Sequence, residues 1–140
     1  MTLMFSRSMM DQYEYRIDVT LKSSTSEIRF EGVVVDTGYT GDFSVPSNYL
    51  RDLDSLGFRI YHLSPNDSVF DAFGNEISGE EISVCSARLK RLEEYEFGDD
   101  DFPVEIMIYG SGDCLLGLKT ISNWIAKFDG SNKLLSFIEP

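Results

Sequence analysis

A single histidine, His62, and two cysteines, Cys85 and Cys114, are all that the sequence offers of the residues that most often hold metals or attack carbonyls. One imidazole leaves a histidine-based metal centre, or a Ser–His or Cys–His nucleophile, without the side chains it needs. Two cysteines are too few for a disulfide framework, and their separation matches no zinc or redox spacing. A reducing compartment is the simpler expectation, with both thiols as small core residues, since neither has a basic neighbour in sequence. Basic residues are scarce too: 12 Lys and Arg stand against 24 Asp and Glu, giving a net charge of -12. Affinity for nucleic acid comes from clustered cations that displace counterions, so this balance excludes nucleic acid as a partner and argues equally against anionic membranes. No apolar run approaches membrane-spanning length. The Met-rich opening MTLMFSRSMM is broken by Arg7 and is followed by no cleavage-like segment. The expectation is a soluble cytoplasmic protein in which the triplet Asn66-Asp67-Ser68 goes unglycosylated.

Two further absences remove other chemistries. Gly110-Ser111-Gly112 lacks the third glycine of a dinucleotide fingerprint and reads as a turn. Asp99-Asp100-Asp101 lacks calcium-loop spacing, and the acid-rich stretch from Glu93 to Asp101 reads as a solvated surface loop. No metal or organic cofactor is expected.

What is present is a hydrophobic content of 42% over 140 residues, enough for a single core. We expect one domain over 1–140, with residues 1–12 as a disordered extension. From Tyr13 to Leu21 apolar and polar residues alternate with the period of a half-buried strand. Ser23 to Ser26 turns the chain into a second strand through Ile28 and Phe30, which becomes fully apolar at Val33-Val34-Val35 and so is expected to enter the core. Phe43 and Val45 make a short strand. Pro46 suits the first position of a helix carrying Tyr49, Leu50, Leu53 and Leu56 and stopped by Gly57. Strands follow at Phe58–Leu63 and on either side of Asp71–Glu76 with a Gly74-Asn75 turn, the second of the flanking strands running on through Ile82, Val84, Cys85 and Leu89. Pro103–Tyr109 forms another strand, Leu118–Trp124 one or two helical turns, and Ile125–Phe128 with Lys133–Ile138 a terminal hairpin. Many short strands and little helix predict a mainly β domain, a small barrel or sandwich.

Asp36 carries the chemical signal. It follows the buried run directly and precedes Thr37-Gly38, which places a carboxylate on a tight loop at the edge of a core. The same tripeptide also serves as an ordinary surface turn. Its context is Asp36-Thr37-Gly38-Tyr39-Thr40-Gly41, then Phe43-Ser44-Val45-Pro46, and much later Leu115-Leu116-Gly117. On these residues the chain resembles the retropepsin-like aspartic peptidases of the prokaryotic cellular type, from Tyr13 to the C-terminus in order of elements. The resemblance implies a closed β-barrel with a flap hairpin and one or two short helices. It makes Asp36, Thr37 and Gly38 the catalytic motif, with the Gly38 N–H bonded to the Asp36 carboxylate and Thr37 locking two active-site loops together across a homodimer. Leu115, Leu116 and Gly117 would pack beside the catalytic loop, and the hairpin carrying Phe70, Phe73 and Gly74 would be the flap over a polypeptide substrate. Tyr39 departs from the retroviral pattern, which has a small residue there.

With one Asp-Thr-Gly and no Asp-Ser-Gly, the second carboxylate of an aspartic peptidase has to come from a symmetric partner. Two non-catalytic readings stand beside an endopeptidase: a dimeric retropepsin-like module that binds polypeptides without cutting them, and an acidic β-barrel scaffold in which Asp-Thr-Gly is only a turn.

Overall fold

The computed structural model describes residues 1–9, 14–70, 74–98 and 102–140. In chain order its strands are β1 (Thr2–Ser8), β2 (Arg16–Lys22), β3 (Glu27–Asp36), β4 (Phe43–Val45), β5 (Ile60–His62), β6 (Ser68–Phe70), β7 (Glu76–Ser78), β8 (Ser83–Leu92), β9 (Tyr95–Glu96), β10 (Phe102–Ile108), β11 (Leu115–Gly117), β12 (Ile125–Asp129) and β13 (Leu134–Glu139). Two short α-helices, α1 (Leu50–Ser55) and α2 (Leu118–Ile121), and two 3-10 turns at Ser47–Tyr49 and Gly79–Glu81 complete the described elements. The main sheet runs β10-β4-β11-β3-β2-β8, and pairing of β10 with β8 closes it into a six-stranded barrel, with β5 and β9 on the margins of β8. Closure removes the exposed edges that a small open sheet would present. The mainly β expectation and the short helices are therefore met.

Strand alternation fills the barrel. Ile17, Val19 and Leu21 of β2 point inward and are buried, as are Val104, Ile106 and Ile108 of β10. Where β2 meets β3, Val19 pairs with Phe30 but Ile17 pairs with Val33, so β3 carries one extra residue. Gly32 takes φ +65 at this bulge and donates its N–H to Asp18 Oδ1 at 3.1 Å. A bulge bends its strand and increases the local twist, and here it re-aims the last turn of β3 that leads to Asp36. The expectation of a fully buried Val33-Val34-Val35 run needs correction: Val33 is buried, whereas Val34 and Val35 are half-buried where β3 reaches the barrel rim. Pro46 lies in extended backbone just ahead of the first helical turn, and Gly57 ends the helix at φ +84.

Two expectations from composition are overturned. Thr2–Ser8 is no disordered extension: it pairs antiparallel with β13, which pairs in turn with β12, forming a three-stranded sheet. Phe5 stacks edge-on against Phe137 at 5.0 Å, a contact between the two ends of the chain that no local pattern announces. Nor is the acid-rich stretch simply a solvated loop. Arg91 pairs with Glu96 and Leu92 with Tyr95, making a tight β8–β9 hairpin turned at Glu93 with φ 52. Glu93 Oε1 accepts the Asp18 N–H at 3.2 Å, and Phe97 stacks on Trp124 at 5.7 Å. Aromatic residues alternating with the acids anchor this segment, and its charge concealed them. Asp99, Asp100 and Asp101 lie outside the described residues.

Candidate active site

Asp36 closes β3, and its neighbours arrive from distant parts of the chain. Strand β11 runs parallel to β3 in the register Leu115–Val34, Leu116–Val35 and Gly117–Asp36, while its other edge pairs antiparallel with β4. β11 is thus inserted between two strands consecutive in sequence, and the loop from Asp36 to Asp42 must pass over its end. The crossing is held by main-chain bonds: Gly117 N–H to Asp42 O at 2.8 Å, Leu118 N–H to Tyr39 O at 2.7 Å and Lys119 N–H to Gly41 O at 3.2 Å. Glycine is required at 117 for contact rather than dihedral reasons, because a Cβ there would overlap the Gly41 carbonyl oxygen.

The Asp36 carboxylate is half-buried and accepts the Gly38 N–H on Oδ1 at 2.9 Å, while the Tyr39 N–H closes the turn onto Asp36 O at 3.2 Å. That donor orients the carboxylate, and among the described residues no group hydrogen-bonds its second oxygen. Thr37 and Gly38 are exposed, and among the described residues no group of the same subunit hydrogen-bonds the Thr37 hydroxyl. Asp42, which the sequence pattern did not single out, anchors the far end of the loop. It is buried, accepts Thr120 Oγ1–H at 2.7 Å and the Glu105 N–H at 3.0 Å, and has Lys119 Nζ at 3.9 Å. Its only sequence signal was an acid directly ahead of the short apolar strand Phe43–Val45, whereas Asp36 ends a long one.

A cleft of about 660 Å³ opens on Asp36, lined by Gly38, Tyr39, Thr40 and Gly41 of the loop, Met107 of the outer face of β10 and Tyr109 just after it, Leu115, and Val69 and Phe70 of β6. The β6–β7 hairpin pairs Val69 with Ile77 and Phe70 with Glu76, which places a two-stranded cover over the acid. Gly79 N–H bonds Asp67 O at 2.7 Å at the base of this hairpin, where a Cβ would overlap the Ser64 carbonyl oxygen. Gly74 takes φ +80 at its tip; Asn75 does not share the positive φ.

Of the residues singled out in the sequence, Asp36, Gly38, Tyr39, Phe70 and Leu115 line one cleft. Leu116 and Gly117 do not: Leu116 belongs to the core at 1% exposure, and Gly117 is buried under the loop, so both hold the site in place without touching its lumen. Alternation along β11 allows only every second side chain to face the cleft. Gly74 lies at the flap tip, away from the lining, and Phe73 lies outside the described residues. Sequence reasoning missed Met107 and Tyr109, which belong to a segment read only as a strand, and Val69, which precedes Phe70 on the hairpin read as the flap.

The remaining reactive side chains are occupied structurally. Burial, with Glu105 nearby, pushes the Cys85 thiol up to about 12, and burial with Asp113 takes Cys114 to about 11, so both stay protonated. His62 sits on β5 with Nδ1 3.0 Å from Ser83 Oγ. Among the described residues no cluster of three or more His, Cys, Asp or Glu could hold a metal ion, and no helix is long and apolar enough to cross a membrane.

No protein-family model matches the chain, and no curated protein sequence does. Among solved structures it is similar to a retropepsin-like aspartic protease from Rickettsia conorii, with a TM-score of 0.52 and 16% sequence identity over 95% of this chain and 88% of that one. The barrel, the inserted strand and the flap thus make up a retropepsin-like fold.

Proposed function

We propose that the chain is one subunit of a homodimeric aspartic endopeptidase in which the Asp36 carboxylates of two copies share one proton across the symmetry axis. The observation that carries this reading is the placement of Asp36: a carboxylate steered by a backbone N–H, in a cleft shared with the β6–β7 hairpin, with no second acid among the described residues that line it. Two carboxylates so close cannot both ionise cheaply, so one stays protonated near the acid side of neutrality. The ionised member takes a proton from a water lying between the pair. The oxygen of that water bonds to the substrate carbonyl carbon, while the protonated member hydrogen-bonds the carbonyl oxygen as negative charge grows on it. Collapse of the tetrahedral intermediate breaks the C–N bond, and a carboxyl proton passes to the leaving amine. The exposed Thr37 hydroxyl is free to bond the partner's loop and fix the distance between the acids. An extended peptide would lie between the β6–β7 hairpin and the outer face of β10, and no metal or organic cofactor enters the scheme.

Dimer dependence tests this directly. Specific activity on a peptide library at mildly acid pH should fall on dilution, with the same midpoint as dissociation followed by ultracentrifugation. An excess of Asp36→Asn subunits mixed into the parent should poison it, since each mixed dimer holds one competent carboxylate. A monomer that kept full activity at all concentrations would refute the shared site.

A further inference from the structure

The side chain that follows the Asp-Thr-Gly turn lies in a slot formed by two glycines. One edge of the Tyr39 ring faces Gly117, where a Cβ would come within 2.7 Å of Cδ2. Its phenolic end lies over Gly41, where a Cβ would overlap the hydroxyl and sit 2.6 Å from Cζ. A side chain at either position would displace the ring. The main chain is pinned as well, by the Tyr39 N–H on Asp36 O at 3.2 Å and the Leu118 N–H on Tyr39 O at 2.7 Å. Burial raises the phenol well above its ordinary value, and Tyr109, Asp42 and Glu105 add to the shift, so the group stays neutral wherever the carboxyl chemistry operates. The ring is therefore a fixed, uncharged wall on the cleft that holds Asp36. Phe70, on the flap side of the same cleft, is 69% exposed and has no such berth.

We propose that Tyr39 is the specificity-determining wall of this cleft, restricting the substrate side chain seated beside Asp36 to small apolar residues. The inference rests on the peptidase reading and deepens it. Met107, Tyr109, Leu115 and Val69 give the lining a largely apolar surface, and among the described residues that line it Asp36 alone is charged, so the seat favours uncharged side chains. Rejection by a rigid wall is steric, whereas a flexible lining would repack around a larger group.

The test compares parent, Tyr39→Ala, Tyr39→Phe and Gly41→Ala, the last displacing the ring without removing it. Matched peptides carrying Ala or Phe at the scissile position, and the same pair as non-cleavable hydroxyethylene isosteres, are assayed for kcat/KM and by calorimetry respectively. The parent should favour the small side chain. Tyr39→Ala and Gly41→Ala should shift the small-to-bulky ratio toward Phe by about tenfold or more, the range expected when a pocket wall is removed. Tyr39→Phe should retain the parent's ratio, because the ring rather than the hydroxyl forms the wall. If no peptide is cut but the isosteres bind with a preference that Tyr39→Ala loses, the peptidase reading fails and the wall stands. If a folded, dimeric Tyr39→Ala keeps the parent's ratio, or the parent binds neither isostere, the wall is overturned, and in the first case the peptidase reading survives.

Discussion

The two ends of the active-site loop carry aspartates in opposite circumstances. Asp42 is buried and answered within the chain, by the Thr120 hydroxyl, the Glu105 N–H and the nearby Lys119 ammonium. Asp36 is half-buried and among the described residues receives one N–H, from Gly38. A carboxylate has about four acceptor positions, and a buried one that is left unanswered costs stability. Asp42 has a bond on each oxygen and an ion pair that hold the loop against β10 and α2; among the described residues Asp36 has a bond on one oxygen only. Residue type and a flanking apolar strand are common to both. The location of the donors separates a structural acid from one available for chemistry.

Exchanging each acid should separate the two roles. Asp36→Asn should lower peptide cleavage by about 10²- to 10⁴-fold, the usual worth of a positioned acid–base group, while moving unfolding stability by no more than about 0.5 kcal/mol at fixed protein concentration. Undiminished cleavage would remove Asp36 from the mechanism. Asp42→Ala should do the reverse in kind: it orphans the Glu105 N–H and the Thr120 hydroxyl, and a lower urea midpoint should report a loss of about 2 kcal/mol or more. An unchanged midpoint would mean that Asp42 does not anchor the loop.

Gly117→Ala examines the crossing between the two acids. Its Cβ would collide with a main-chain oxygen, that of Gly41, which no rotamer change relieves. The expected cost is about 1–3 kcal/mol, accompanied by reduced activity as the loop that carries Tyr39 lifts away from β11. Loss of stability with fully retained kcat/KM would show that the loop tolerates displacement.

The smallest effect belongs to a third aspartate whose donors are all local. Asp129, at the β12–β13 turn, accepts from Asn132 Nδ2 at 2.8 Å, Ser131 Oγ at 2.9 Å and the Asn132 N–H at 3.2 Å, and these bonds, led by the Asn132 side chain, lower its pKa from the model-peptide value of 3.8. A carboxyl group with a depressed folded-state pKa stabilises the fold above its unfolded pKa, and that contribution disappears as pH falls through the folded value. Stability should therefore decline slightly below about pH 4. Asp129→Ala should flatten this part of a stability-versus-pH curve, and an unaltered curve would assign the decline to other carboxylates.

The legible parts of the molecule are those with short-range causes. Alternation placed β2 and β3, β-branched and apolar content placed β10, the Gly57 stop placed the end of α1, and the carboxylate on a tight turn after an apolar strand was visible in Val35-Asp36-Thr37-Gly38. Phe5, Tyr95 and Phe97 were misjudged because their partners, Phe137, Glu139 and Trp124, lie far away in the chain, and neighbouring charge or methionine dominated the local pattern. Leu116 and Leu115 looked equivalent until β11 acquired a neighbour on each edge, which assigned one to the core and the other to the cleft.

By itself the sequence determined a small, strongly acidic β domain with one candidate catalytic carboxylate, because hydrophobic period, turn residues and charge count are local or additive properties. Only the tertiary structure decided that β11 enters between β3 and β4, that Asp42 is an anchor and Asp36 an open acid, and that Tyr39 lies in a slot between two glycines. Each of these depends on which backbone edge or donor from a distant segment reaches the loop, and strand insertion across some eighty residues of chain is set by global packing and hydrogen-bond closure, which no short window of sequence contains.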